Sequence, residues 1–331
     1  MPQRVNNLMD EICRFDNLNE AFLRAAKGKS GFFPVIAFRE NYDRNIYELA
    51  RQLADGTFNF GNYHFFTIFD PKKRRICAAS FPERVAFHAL MRVCHPFFEN
   101  RQVADSYASR ISKGTYAALD RARHFARKYQ FFAKLDVTKY FDSINHTILF
   151  RMLCRVFKDD RLLDSFNKII NSYSVCENSG LPIGNLTSQY FANHYLTYAD
   201  RFLYDECKIP GLVRYMDDTL IFSNDKKHIF SAVDSYKRFL SENLDLNIHT
   251  PVVNRTCYGA PFLGYVVYSD KLRLSQRSRH RFRTKITVLQ DMYDTGIITE
   301  KEISIRTGSM FAFINKADTF NYRRSLNGIY L

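Results

Sequence analysis

The chain contains no tryptophan and no long apolar run. Among its 331 residues, no uninterrupted apolar stretch approaches the roughly 20 residues that a membrane-spanning helix needs. The N-terminus also lacks the charged-then-apolar pattern of a secretory signal. We therefore expect a cytoplasmic protein with no membrane partner.

Paired cysteines and acidic residues are scarce as well. The cysteines are odd in number, include no CxxC pair and lie at positions 13, 77, 94, 154, 176, 207 and 257. This pattern predicts free thiols in a reducing compartment and argues against a zinc site. The 34 Asp+Glu residues are outnumbered by 48 Lys+Arg residues, which gives a formal net charge of +14. Such an excess of positive charge favours a polyanionic partner.

Two adjacent carboxylates lie between short apolar runs. Residues 212–222 read Leu-Val-Arg-Tyr-Met-Asp-Asp-Thr-Leu-Ile-Phe, a pattern that predicts two strands joined by a tight turn with Asp217 and Asp218 at its tip. Neighbouring carboxylates repel each other, so the pair favours a bound divalent cation, and hard oxygen ligands suit Mg²⁺. An ordinary Asp-Asp surface turn is the alternative.

A second acidic position lies upstream of this pair. Residues 131–137, Phe-Phe-Ala-Lys-Leu-Asp-Val, predict a buried strand that ends in Asp136. One carboxylate that closes a strand, with an acidic pair on a later hairpin, is the ligand set of a two-metal phosphoryl-transfer site. In such a site one ion activates the attacking 3′-oxygen and the other holds the triphosphate.

Together these stretches resemble a reverse transcriptase. Tyr215–Asp218 matches the YxDD box of that family and Asp136–Phe141 matches its first aspartate box. The resemblance implies an α+β fold, a right-hand polymerase whose palm is an antiparallel sheet with helices on one face. The expected domains are fingers with part of the palm (1–130), the palm with the catalytic carboxylates (131–270) and a short basic helical thumb (271–331).

The resemblance also implies the chemistry and the partners. Asp136, Asp217 and Asp218 are the expected catalytic residues, and they are expected to hold two Mg²⁺ ions together with Val137. Mn²⁺ is the expected substitute metal. The partners would be template RNA, a DNA or RNA primer and dNTPs, in the cytoplasm of a bacterial or phage-infected cell.

Basic residues of the predicted fingers match positions that contact the nucleotide in this family. Lys72 and Arg74 match a K-x-R-x-I pattern, with Arg75 as a neighbour that shares the role. A basic cluster beside a strand can clamp a triphosphate, although a solvated loop is the alternative. Arg110 matches the next fingers box and is expected to bind template phosphate or nucleotide.

Phe141 lies five residues after Asp136, where the family carries a bulky side chain beneath the sugar. The resemblance implies that its ring excludes a 2′-hydroxyl and so selects deoxynucleotides. The alternative is an ordinary core phenylalanine, one of 31 in the chain.

Residues 179–189, Ser-Gly-Leu-Pro-Ile-Gly-Asn-Leu-Thr-Ser-Gln, depart from the common family pattern. Ile183 replaces a Gln and Gln189 replaces a Pro, which resembles the reverse transcriptases of diversity-generating retroelements. Loss of a hydrogen-bonding side chain next to the templating base pair would leave discrimination to shape alone. We therefore expect low fidelity at template adenines and, from the same resemblance, a small basic helical-bundle accessory protein as partner.

Two other functions are compatible with the sequence. One is a more faithful reverse transcriptase of retron, intron or phage-defence type, although Ile183 and Gln189 argue against the intron type. The other is a nucleic-acid-binding scaffold with an inactive palm, which the intact Asp136, Asp217 and Asp218 argue against.

Several local features accompany these motifs. Apolar spacing predicts a helix over 44–53, and a second helix is expected to end before Pro96. Asn145 or Thr147 is expected to cap a third. Residues 262–265 match a turn that grips the primer end in the family. Residues 271–285 contain seven Lys/Arg and no Asp/Glu, which favours contact with backbone phosphates.

Overall fold

The structure is a computed structural model that describes residues 4–69 and 73–324. Its helices are α1 (Leu8–Ile12), α2 (Phe15–Ala26), α3 (Phe33–Glu40), α4 (Tyr42–Ala54), α5 (Phe81–Glu99), α6 (Thr115–Lys128), α7 (Tyr140–Ser143), α8 (His146–Cys154), α9 (Asp160–Asn171), α10 (Leu186–Asp205), α11 (Lys226–Leu244), α12 (Gln276–Asp294), α13 (Glu300–Asn315) and α14 (Phe320–Arg324). Its strands are β1 (Tyr63–Ile68), β2 (Arg74–Ala79), β3 (Phe131–Leu135), β4 (Gly211–Tyr215), β5 (Asp218–Ser223), β6 (Val252–Arg255), β7 (Ala260–Phe262), β8 (Tyr265–Val267) and β9 (Leu272–Leu274).

The chain divides into two compact units. Unit 1 comprises the residues up to Ala104, Val137–Arg201 and Lys237–Asn247. Unit 2 comprises Asp105–Asp136, Phe202–Tyr236 and the residues from Ile248 onward. The division into fingers, palm and thumb at residues 130 and 270 stays a prediction.

Unit 1 is mainly helical and carries the β1–β2 hairpin. Helix α2 packs against α5, with Phe22 in contact with Phe38 and Phe81. Helix α5 begins with a capping box, in which Ser80 and Glu83 satisfy each other's backbone N–H groups. The fully buried Glu83 carboxylate also accepts from the amides of the loop at residues 61–62. These contacts agree with a structural role for Glu83.

Helix α5 continues through Pro96 to Glu99, so the expectation that it ends before the proline was wrong. A proline inside a helix costs about 3 kcal/mol, because it removes one hydrogen bond and crowds the preceding turn. The last turn places Phe98 against Phe157, Phe191 and His194, with the Phe98 side chain almost completely buried. Burial of this ring offsets the cost of the proline.

Unit 2 is built on antiparallel strands. A four-stranded sheet has the order β4-β5-β3-β6, so β3 and β5 are its central strands. A separate three-stranded sheet has the order β7-β8-β9. Its β7–β8 hairpin closes on Leu263 and Gly264, which both have positive φ, as a type I′ turn requires.

One apolar core joins the elements of unit 2. It contains side chains from α6, the central strands, the three-stranded sheet, α12 and α13, including Phe125, Phe132, Phe222, Tyr265 and Phe282. Ile314 is fully buried in this core, whereas Phe311 and Phe313 pack against it and are partly buried. The C-terminal helices are therefore anchored on the same core as the four-stranded sheet.

Most local predictions are confirmed. Helix α4 covers the predicted 44–53 segment, and the Asn145 side chain caps α8 by accepting from the Ile148 amide. The predicted nucleotide contact Lys72 lies outside the described residues. No helix within the described ranges is long and apolar enough to cross a membrane.

Candidate active site

Unit 2 brings the acidic residues of two separate motifs to neighbouring central strands. Strands β3 and β5 pair antiparallel, and Leu135 lies opposite Thr219 as the last pair of the register. Asp136 follows Leu135 and Asp218 precedes Thr219, so the pairing directs both carboxylates to the same end of the sheet. Residues about 80 positions apart in sequence thus become neighbours through the backbone hydrogen bonds of the sheet.

The hairpin between β4 and β5 is tighter than the sequence indicated. Tyr215 pairs with Asp218, so the two-residue turn consists of Met216 and Asp217, and Asp218 is already the first residue of β5. The expectation that both aspartates lie at the tip is therefore corrected by one position. Met216 has a φ of 55°, an unusual conformation for a side chain of this size.

A buried arginine supports this turn. Arg214 is fully buried, and its Nη1 donates to the Met216 carbonyl at 3.0 Å. The backbone amide and carbonyl of Arg214 pair with the carbonyl of Asp105 and the amide of Tyr107, which extends the sheet beside β4. The strained turn is thus held from its own strand and from the 105–107 segment.

Asp105 is the centre of a second buried network. Arg121 donates to both of its carboxylate oxygens, at 2.8 and 3.0 Å. The hydroxyls of Tyr107 and Tyr204 donate to the same carboxylate. Through Arg121 and Tyr204, this network ties α6 and the end of α10 to the segment that flanks the β4–β5 hairpin.

The electrostatics around Asp218 are unfavourable for a bare carboxylate. Burial raises the pKa of Asp218 to about 6, and the negative charges of Asp136 and Asp217 add to the effect, while Lys134 opposes it. Lys134 Nζ lies 3.4 Å from Asp218 Oδ1, an ion-pair distance. The alignment is not that of a hydrogen bond, so this buried oxygen has no hydrogen-bond partner among the described residues.

The donor set suits a hard divalent cation. Carboxylate oxygens are the ligands of Mg²⁺, and an orphaned buried oxygen beside two further carboxylates is a position where positive charge is favourable. Within residues 4–69 and 73–324, no group of three or more His, Cys, Asp or Glu side chains could hold a metal ion by itself. Magnesium in nucleotide sites is usually held by one or two carboxylates together with substrate phosphates and water, so the residues fit a metal that is completed by the substrate.

Unit 1 contains the other predicted metal ligand and most of the predicted nucleotide contacts. Val137 is buried directly after Asp136 in sequence. Arg74 and Arg75 are exposed on β2, and the Arg75 guanidinium lies over the Phe65 ring at 4.1 Å from its centroid. The stacked ring holds the Arg75 charge at the surface of the hairpin.

Backbone hydrogen bonds within unit 1 connect three separate motifs. The Ile183 carbonyl accepts from the Cys77 amide of β2, and the Phe141 carbonyl accepts from the Leu181 amide, both at 2.8 Å. Gly184 has a φ of 116°, and a Cβ there would meet Ile76 Cγ2 at 2.9 Å. Only glycine allows this close approach between the 181–184 segment and β2.

The side chains of Phe141 and Ile183 are both partly exposed. Tyr140, the neighbour of Phe141, is buried instead. The Phe141 side chain is thus not fully buried, and its role as a sugar gate stays a prediction. Gln189, in the first turn of α10, is also partly buried.

Arg110 and the basic stretch at 271–285 belong to unit 2. Arg110 is partly buried, and its Nη1 donates to the Ser106 carbonyl at 2.8 Å. The basic stretch begins as β9 and becomes helical only from Gln276, after the N-cap Ser275. Arg273, Arg279 and Arg283 are exposed.

Sequence reasoning did not find Lys134, Arg214 or Asp105. A signal existed for Lys134, since residues two apart on a strand share a face and Lys134 precedes Asp136 by two. No sequence pattern predicted that Arg214 is fully buried, because arginine side chains are rarely buried in proteins. Two of the partners of Asp105, Arg121 and Tyr204, come from α6 and α10, so the network depends on tertiary packing.

Comparisons with known proteins agree with this geometry. The sequence profile of the family described as "Reverse transcriptase (RNA-dependent DNA polymerase)" matches residues 74–267, more than half of the chain. The chain is also similar to two Saccharomyces cerevisiae proteins, the putative COX1/OXI3 intron 1 protein and intron 2 protein, at 24% and 21% identity. The matches cover 60% and 56% of this chain, but only 25% and 29% of those relatives, so the chain spans about a quarter of their length.

Solved structures show the same fold at low sequence identity. Apo telomerase from Candida tropicalis superposes with a TM-score of 0.51 at 11% identity and covers 86% of this chain and 65% of the telomerase. A form truncated from its C-terminal domain gives 0.50 at 12% identity, over 69% and 59% of the two chains. The predicted α+β right-hand polymerase fold is thus confirmed.

The Asp105 network leads to a prediction about stability. We expect Asp105→Asn to lower the free energy of unfolding by about 2 kcal/mol, because it leaves Arg121 without its buried counter-charge. The measurement is chemical denaturation. Asp120→Asn is the matched control on α6, since Asp120 is exposed and its pair with Lys316 should contribute about 0.5 kcal/mol or less. Equal losses in the two variants would show that the network does not stabilise the hairpin.

Proposed function

The chain belongs to the reverse transcriptase family, and on that premise we propose that it is an RNA-directed DNA polymerase that copies template RNA into cDNA. The observation that carries the proposal is the pairing of β3 with β5, which sets Asp136 beside Asp218 at one end of the central strands. A nucleotidyl transferase needs such a set of carboxylates where the 3′-oxygen meets the triphosphate. The proposed partners are template RNA, a DNA or RNA primer and dNTPs.

Each unit supplies different parts of the proposed reaction. Asp136, Asp217 and Asp218, all of unit 2, would hold two Mg²⁺ ions, or Mn²⁺ in their place. The Val137 carbonyl is proposed as a further ligand from its position next to Asp136 in sequence alone. When bound, the ions would lower the pKa of the primer 3′-hydroxyl and neutralise charge on the phosphates. Arg110 and the basic residues of β9 and α12 would contact backbone phosphates.

In unit 1, the residues would bind and select the nucleotide. Arg74 and Arg75 present their charges on the exposed surface of β2, where they would contact the triphosphate. Phe141 has the partial exposure that a ring beneath the sugar requires. Lys72 is proposed for the same triphosphate contact from its sequence pattern alone.

We further propose that the enzyme is of the diversity-generating type and error-prone at template adenines. Ile183 exposes part of a branched apolar side chain, while its backbone is held by β2. An apolar side chain cannot donate a hydrogen bond to a neighbouring base pair, so correct and incorrect pairs would be distinguished by shape alone. Gln189 belongs to the same pattern. A small basic helical-bundle accessory protein and the cytoplasm of a bacterial or phage-infected cell complete the proposal.

A second candidate is a more faithful reverse transcriptase of intron type. The similarity to two yeast proteins with intron names favours it. Ile183 and Gln189 argue against it. An inactive scaffold is disfavoured by the complete set of Asp136, Asp217 and Asp218.

Primer extension tests the polymerase proposal. Purified protein with an RNA template, a primer, Mg²⁺ and all four dNTPs should extend the primer. Asp217→Asn should reduce the rate at least about a hundredfold, because it removes charge that acts on the reacting groups. Asp234→Asn, on the exposed surface of α11, is the matched control and should extend normally. Absence of synthesis even with the accessory protein and native template RNA would instead favour the scaffold.

Sugar selection tests the role of Phe141. We expect Phe141→Ala to lower the preference for dNTP over rNTP by about tenfold or more, since the space for a 2′-hydroxyl is no longer filled. The measurement is kcat/KM for matched dNTP and rNTP. Phe131→Ala, at another partly buried phenylalanine, is the control and should leave the preference unchanged. An unchanged preference in Phe141→Ala would contradict the gate.

Sequencing of the cDNA tests the role of Ile183. We expect errors opposite template adenines in the wild type and about a tenfold lower error rate in Ile183→Gln, which restores a polar contact. Ile36→Gln, an exposed isoleucine of α3, is the control. Comparable error rates in the wild type and Ile183→Gln would refute the role of Ile183. Uniformly faithful wild-type cDNA would favour the intron-type candidate.

A further inference from the structure

We propose that Lys134 is an internal counter-ion of the catalytic carboxylates, which balances Asp218 while no metal is bound and yields this position to the metal. The proposal rests on the proposed function, because it assigns a role to Lys134 within the same site. Lys134 would thus be a positioning residue that does not touch the substrate.

The strand geometry directs Lys134 toward the site. It lies on β3, opposite Leu220 of β5 and Val252 of β6, so its backbone is held on both sides. Side chains alternate along a strand, and Lys134 therefore shares a face with Asp136. Its Nζ lies 3.4 Å from Asp218 Oδ1.

The environment of this pair distinguishes it from a surface ion pair. The Lys134 and Asp218 side chains are only 25% and 21% exposed. Surface lysines normally keep their ammonium in water, because its desolvation is unfavourable. The Lys134 ammonium, in its poorly hydrated position, is held by the opposite charge of the Asp218 carboxylate.

The contact is also suited to displacement. The Lys134 ammonium is within ion-pair range of Asp218 Oδ1 but is not aligned as a hydrogen bond to it. Little directional bonding is lost when the ammonium moves away, and the long side chain can move without a change in the backbone. A divalent ion at the same oxygen would be repelled by Lys134, so the two cations compete.

Thermal unfolding of the full chain tests the proposal without any need for catalysis. The Tm is measured in EDTA and across an MgCl₂ titration for the wild type, Lys134→Met and the charge-preserving control Lys134→Arg. In EDTA, Lys134→Met should lower the Tm by roughly 2–4 °C, and Lys134→Arg should lower it less. The MgCl₂ concentration for half-maximal stabilisation should be about tenfold lower in Lys134→Met, because the competing charge is gone.

A double-mutant cycle separates charge from packing. In the Asp218→Asn background, Lys134→Met should no longer lower the Tm in EDTA, because the partner charge is absent. A loss that persists there would show that Lys134 acts through packing and would overturn the proposal. An unchanged MgCl₂ midpoint would overturn it as well. If Lys134→Met does not fold, the coupling between position 134 and Asp218 is measured with Lys134→Gln in the same double-mutant cycle.

Failure of this proposal is distinguishable from failure of the proposed function. A protein that shows the coupling but makes no cDNA, even with the accessory protein and native template RNA, would refute the polymerase proposal alone. A protein that makes cDNA, with Lys134 and Asp218 uncoupled, would refute only the role of Lys134.

Discussion

The hydrogen bonds between β3 and β5 force like charges together, and much of unit 2 serves to hold them there. Asp136 directly follows β3 and Asp218 begins β5, so the register alone determines that they meet. The repulsion is unfavourable in the absence of a cation, and burial of Asp218 increases it. The carboxylates stay in this position only if the free energy gained by packing the sheet exceeds the free energy of their mutual repulsion. The apolar core behind the central strands supplies that packing.

The same constraint explains why polar groups are buried around the hairpin. Met216 adopts a positive φ at a cost of about 1 kcal/mol, and the fully buried Arg214 holds its carbonyl. Arg214 is held in turn by backbone pairing with the 105–107 segment, whose Asp105 is clamped by Arg121. The hydrogen bond from Arg214 to the Met216 carbonyl fixes the conformation of the turn in a way that an apolar side chain could not, because an apolar side chain has no donor. The position of Asp217 depends on that conformation.

The sequence predicted what local patterns determine. Alternation and apolar runs indicated β3 and the β4–β5 hairpin, and helical spacing indicated α4. Tertiary packing decided what these patterns could not. Pro96 remains inside α5, since the buried Phe98 holds the last turn.

Among the site residues, the acidic pair was predictable because two carboxylates in one turn are conspicuous. The one-residue difference in the turn was not, because Asp217 and Asp218 are equally compatible with a hairpin tip. The ion pair of Lys134 depends on the register between strands that lie far apart in sequence, and propensity carries no information about that register.

In the 181–184 segment the backbone is fixed by β2, while the side chain at position 183 stays partly exposed. Gly184 lies in close contact with Ile76 of β2, and the Ile183 carbonyl accepts a hydrogen bond from the Cys77 amide. These contacts fix the backbone at this position. An exchange of residue at position 183 would then alter the chemistry of the exposed side chain but not its location. The polar atoms nearby in sequence, Asn185 Nδ2 and the hydroxyls of Thr187 and Ser188, are buried and face no solvent, so they are poorly placed to substitute for a missing amide. Under the proposed function, the isoleucine at position 183 offers a neighbouring base pair only its shape, because its side chain has no donor or acceptor.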